Sequence, residues 1–166
     1  MTTYSAGDFI LCKSNHWIDR LIRFGQRLRD DGPGSAYDHA ALVIDDTGTI
    51  IEAVSKGLSY GHVTDYPNHL LFRLTLDEPD GAKAVSFAHY WLDRHVEYGY
   101  LEDLSIGLDL LTPRFIHFKS AETMICSEFV ARALAQTGWV CPKLDVSHVR
   151  PDDLFKWFAA SVTPTA

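Results

Sequence analysis

Three residues of this chain have the side chains for acyl-transfer chemistry: Cys126, His39 and Glu52. A free thiol ionises at ~8.5, and only the thiolate is a good nucleophile, so the cysteine needs help near neutral pH. Imidazole is the side chain suited to take that proton and later give it back. A carboxylate that accepts one ring N–H sets the tautomer and leaves the other nitrogen for the thiol. Each residue alone has a plainer explanation. Cys126 can be a small core residue, His39 a half-buried strand histidine and Glu52 an exposed strand carboxylate. The combination is what points to chemistry.

The elements that must position these residues are legible as pattern. Thr123–Gln136 has helical periodicity, with Cys126, Phe129, Val130, Ala133 and Leu134 on one stripe, and Gly138 stops it. Cys126 therefore sits near the helix start and on the packing face. A helix start offers free N–H groups and the positive end of the dipole. Both favour a thiolate, and the same N–H groups suit an oxyanion.

The other two residues fall on a predicted hairpin. Asp38–Ile44 and Thr49–Val54 read as strands joined by Asp45-Asp46-Thr47-Gly48. With Asp46 and Thr47 central in the turn, Ala41 lies opposite Glu52, and His39 lies opposite Val54. His39 and Glu52 are then diagonal neighbours on one face, at ~7–8 Å between Cβ atoms, which long side chains can bridge. A slip of one residue would send Glu52 to the opposite face.

Around this pair the chain reads as a mixture of strands and helices. Asp8–Cys12 is a short apolar strand. Trp17–Leu28 is a helix with Arg20, Arg23 and Arg27 outward and Asn15 placed to cap it. Asp30–Ser35 is a loop. Leu70–Leu76 is a third strand. Asp80–His95 is a helix with Ala84, Phe87, Ala88, Trp91 and Leu92 on one face, broken at Tyr98-Gly99-Tyr100. Leu101–Leu111 is a short helix ended by Pro113. A last helix starts at Arg150-Pro151-Asp152 and runs through Trp157–Phe158. Ser161–Ala166 reads as a frayed end. Local hairpins mixed with helices predict an α+β fold in one domain spanning residues 1–166.

Composition excludes some functions. The net charge is -7, which argues against nucleic acid as the main partner. The 46% hydrophobic content is enough for a real core. Three cysteines (Cys12, Cys126 and Cys141) are too few, and odd in number, for a disulfide framework, and they fit a reducing compartment. Cys12 and Cys141 read as structural. The first residues carry no signal-peptide pattern and no stretch is long enough to span a membrane, so a cytoplasmic location is expected. Eight histidines show no ligand spacing, so neither a metal nor another cofactor is expected.

Taken in order, these segments resemble a known family. Gly7-Asp8-Phe9-Ile10-Leu11 is similar to its opening strand, and Trp17-Ile18-Asp19-Arg20-Leu21-Ile22-Arg23 to its first helix. Asp38-His39-Ala40-Ala41-Leu42-Val43-Ile44 resembles its histidine strand, and Ile51-Glu52-Ala53 its carboxylate strand. Ile125-Cys126-Ser127-Glu128-Phe129-Val130 resembles its nucleophile helix. The family is the circularly permuted branch of the NlpC-type papain-like superfamily. It includes YiiX-like bacterial proteins and the lecithin:retinol acyltransferase group. Histidine before cysteine is the permuted order. A carboxylate at the third position suits the YiiX-like members; the retinol acyltransferase group more often has a second histidine there.

The resemblance implies a papain-like fold: a small antiparallel sheet or barrel packed on helices, with the nucleophile at a helix start. It implies Cys126 as nucleophile, His39 as base and Glu52 as third member. It places Tyr98, Trp17 and Ser127 near the substrate, with Gly99 standing where the family has Asp after the tyrosine. The implied activity is a thiol hydrolase or acyltransferase. Its substrate is a peptide, a cell-wall peptide or a lipid acyl group. The rival expectation is a non-catalytic binding or structural protein that keeps the fold.

Overall fold

The apolar runs pair into an antiparallel sheet whose order brings the histidine and carboxylate strands side by side. The computed structural model describes residues 3–13, 37–54, 57–74, 78–94, 126–159 and 162–163. The strands are β1 (Phe9–Cys12), β2 (His39–Val43), β3 (Thr49–Val54), β4 (Gly57–His62), β5 (Leu70–Phe72) and β6 (Val162–Thr163). Their order is β4-β3-β2-β1-β5-β6, with every pair antiparallel. The helices are α1 (Glu78–Asp93), α2 (Cys126–Ala135) and α3 (Pro151–Phe158). The protein is therefore α+β, as its pattern predicts.

Alternation along the strands splits the core in two. Phe9, Leu11, Ala40, Leu42, Ile51, Ala53 and Phe72 face the helices, where Ala84, Ala88, Phe129, Val130, Leu134 and Leu154 meet them. Ile10, Cys12, Ala41, Val43, Ile50 and Leu71 point to the other face and pack with Val63, Tyr4 and Tyr66. Both faces of β2 are buried, which explains its unbroken apolar run. Aromatic contacts consolidate the helix side: Phe9 stacks on Phe72 at 4.7 Å between centroids and meets Phe158 edge-on at 5.2 Å. Each buried Phe or Leu contributes about 1.5–3 kcal/mol from area alone.

Several boundaries differ from the pattern for physical reasons. The strand expected over Leu70–Leu76 ends at Phe72, because the Leu74 N–H turns to the Asp8 carboxylate (3.1 Å). Strand β4 was not evident, since Gly57-Leu58-Ser59-Tyr60-Gly61-His62 carries two glycines and a polar outer face. It exists because all six residues pair with β3. The tail is not wholly frayed: Val162 and Thr163 pair with Phe72 and Leu71. The expected helices Trp17–Leu28 and Leu101–Leu111, the cap at Asn15 and the break at Tyr98 lie outside the described residues. No helix among the described residues is long and apolar enough to cross a membrane.

Candidate active site

The β2–β3 hairpin decides the site. Ala41 pairs with Glu52, Leu42 with Ile51 and Val43 with Ile50, the register that the turn geometry predicts. The turn is pinned by Asp45, whose Oδ1 accepts from the N–H of Thr47 (3.0 Å), the hydroxyl of Thr47 (2.7 Å) and the N–H of Thr49 (2.9 Å). Burial opposes the Asp45 charge, but these donors together outweigh it and pull the carboxyl down to about 2. Gly48 closes the turn at φ +93°, where a side chain would be strained and would meet Val63.

This register puts His39 and Glu52 on one face, in contact. His39 Nε2 lies 2.6 Å from Glu52 Oε2, with His39 4% and Glu52 6% exposed. A carboxylate can only accept, so Nε2 carries the proton and donates. In neutral His39 that leaves Nδ1 as the lone-pair nitrogen.

Cys126 reaches the same histidine from another element. It opens α2, is 4% exposed, and its Sγ lies 4.0 Å from the Asp38 carbonyl oxygen at the head of β2. Helix α2 covers the opposite face of the sheet, so the thiol approaches His39 around the end of the strand. Burial alone disfavours the His39 imidazolium. Hydrogen bonds to Cys126 and Glu52, with their negative charge, outweigh it and hold His39 well above the ordinary histidine range. Cys126, His39 and Glu52 thus form one buried line of acid–base groups.

Two members of the site carry no sequence signal. Tyr66 donates its hydroxyl to the same Glu52 Oε2 at 2.5 Å, and its ring lies 5.5 Å from that of His39. Burial and the Glu52 charge keep that hydroxyl well above the usual tyrosine range, so it stays a donor. A built turn aims Tyr66: Val63–Asp65 form a short 3-10 helix, capped by His62 and Asp65. His62 Nε2 donates to the Thr47 carbonyl (3.1 Å), and His69 Nδ1 donates to the Tyr66 carbonyl (2.7 Å). The second member is Gly61 on β4, where a Cβ would stand 2.7 Å from Glu52 Oε1. Neither residue belongs to a motif, and both are brought in by the β3–β4 pairing and the turn after it.

The remaining expected contacts fare differently. Ser127 is fully buried, and its hydroxyl donates to the Val149 carbonyl at 2.6 Å. It ties α2 to the segment before α3. Trp17 and Tyr98 lie outside the described residues. Cys12, directly opposite His39 on β1, is buried with its Sγ 3.9 Å from the His39 carbonyl oxygen. Among the described residues, no group of three or more His, Cys, Asp or Glu side chains is placed to hold a metal ion.

Compared with protein-family models and with curated proteins, the chain matches none.

Proposed function

We propose that this protein is a cysteine-dependent hydrolase or acyltransferase of the papain-like kind, acting on an amide or ester through an acyl-enzyme on Cys126. The observation that carries this reading is His39, buried between the Glu52 carboxylate and the Cys126 thiol and favouring its charged form. An antiparallel sheet, a helix that opens on the cysteine, and histidine ahead of cysteine in the chain also support it.

The chemistry follows from the tautomer. Sγ–H of Cys126 passes its proton to His39 Nδ1, and sulfur attacks the substrate carbonyl carbon. The carbonyl electron pair moves to oxygen, where N–H groups of the α2 first turn suit the oxyanion. As it collapses, the C–N or C–O bond breaks and the imidazolium returns its proton to the leaving amine or alcohol. A thioester remains on Cys126. Water or another acceptor, deprotonated by His39, then attacks it, and the C–S bond breaks. Glu52 keeps Nε2 protonated throughout and offsets the imidazolium charge. The substrate is a peptide, a cell-wall peptide or a lipid acyl group.

Iodoacetamide alkylation, resolved by mass spectrometry into Cys126 and the half-exposed Cys141, tests this. Cys126 is expected to alkylate faster than Cys141 at neutral pH, and to lose that excess in His39→Ala. Hydrolysis of p-nitrophenyl acetate is expected to drop to background in Cys126→Ala. Ordinary reactivity at Cys126, with hydrolysis kept by Cys126→Ala, would leave a non-catalytic binding or structural protein.

A further inference from the structure

Glu52 is held on both of its oxygens, and one restraint on each comes from outside the three residues just assigned. Oε2 accepts from two donors, His39 Nε2 at 2.6 Å and the Tyr66 hydroxyl at 2.5 Å. Oε1 occupies space that exists only because residue 61 has no side chain. Glu52 is 6% exposed, so water does little to stabilise its charge.

We infer that Tyr66 and Gly61 are positioning residues, which hold the Glu52 carboxylate turned onto His39. The Tyr66 hydroxyl donates to Oε2 and so fixes the carboxylate's orientation in a dry setting. Gly61 fixes where that carboxylate sits. A Cβ at residue 61 would lie 2.7 Å from Oε1 but 3.3 Å from Ile50 Cγ1 and Cδ1. The carboxylate is the mobile end of a side chain, so it would give way first and leave His39. Among the described residues, the groups facing His39 are Glu52 from β3, Tyr66 from the turn after β4, Cys126 from α2 and Cys12 from β1. Tyr66 and His39 donate to one oxygen of Glu52, so the Tyr66 bond helps set the carboxylate against the ring.

This inference rests on the proposed role of His39, but its test does not need turnover. The ring of His39 is titrated by NMR in the wild type, Tyr66→Phe and Gly61→Ala, with its resonance assigned by loss in His39→Gln. Both variants are expected to lower the His39 proton affinity about tenfold, one unit in midpoint. Tyr66→Phe keeps the ring, and a tyrosine that only packs would change thermal stability and leave the midpoint in place. Gly61→Ala leaves Tyr66 intact, so it decides the matter even where Tyr66→Phe folds poorly. A wild-type midpoint in Gly61→Ala, or in a folded Tyr66→Phe, overturns the inference. Alkylation of Cys126 keeps the two ideas separate. An unactivated thiol with a shifted His39 midpoint sinks the enzyme reading and keeps this one; an activated thiol with unshifted midpoints does the reverse.

Discussion

The two faces of the sheet are built from the same strands and do different work. The helix-covered face is hydrocarbon: Phe9, Leu11, Leu42, Ile51 and Phe72 packed on Phe129, Leu134 and Leu154. The other face carries aliphatic residues too, but it also carries His39, Glu52 and Tyr66 in a hydrogen-bonded chain. On the first face a lost side chain leaves a cavity, and the cost is stability. On the second, a lost partner leaves a buried charge or changes a proton affinity. Cys126 packs with the first face, yet its Sγ lies against the Asp38 carbonyl at the head of β2 and hydrogen-bonds His39 of the second.

Substitutions on each face should separate these two kinds of effect. The largest is expected from Cys126→Ala, with hydrolysis down by about 10⁴-fold or more toward background, read with p-nitrophenyl acetate, while the thermal midpoint moves little. Next is Phe129→Ala, which empties a fully buried site. It should cost about 3–5 kcal/mol in urea unfolding and leave the His39 titration unchanged in the protein that stays folded. A large shift in His39 there would erase the contrast between the faces.

Glu52→Gln should act in the opposite sense, with turnover down about a hundredfold and a changed pH dependence of stability. His39 has a folded proton affinity above its unfolded value near 6.5. Its stabilisation is therefore fully present below that value and lost as pH rises through the folded one. Urea midpoints of the wild type should fall over that window, and Glu52→Gln should flatten the fall. The smallest effect is expected at Ser127→Ala, about 1–3 kcal/mol from stranding the Val149 carbonyl, with the alkylation profile of Cys126 unaltered. A Ser127→Ala protein of full stability and altered reactivity would place Ser127 on the substrate side.

Much of this site was legible from pattern because period-2 alternation and turn chemistry are local. The turn residues Asp45–Gly48 specify the register, and the register specifies that Glu52 shares a face with His39. The stripe through Cys126, Phe129, Val130, Ala133 and Leu134 likewise predicts a buried cysteine at the head of a helix, and those residues are buried in α2. The six residues of β4 were not legible, since glycine and serine carry little strand preference and only pairing with β3 makes them a strand. Ser127 follows the cysteine directly, and adjacency in a helix turns the two side chains in different directions, Ser127 toward the Val149 carbonyl.

By itself, then, the sequence determined local quantities: the β2–β3 hairpin and its register, the helix that opens on Cys126, and that His39 and Glu52 are partners. The tertiary structure alone decided three things. It brought the thiol to His39 around the strand end, it set the Tyr66 hydroxyl on Glu52, and it left a gap at Gly61 for the carboxylate. The reason is range. Alternation and turn geometry act over a few residues, whereas 88 positions separate Asp38 from the cysteine that meets its carbonyl. No pattern in between encodes that closure; it follows from burying one face of α2 on the sheet.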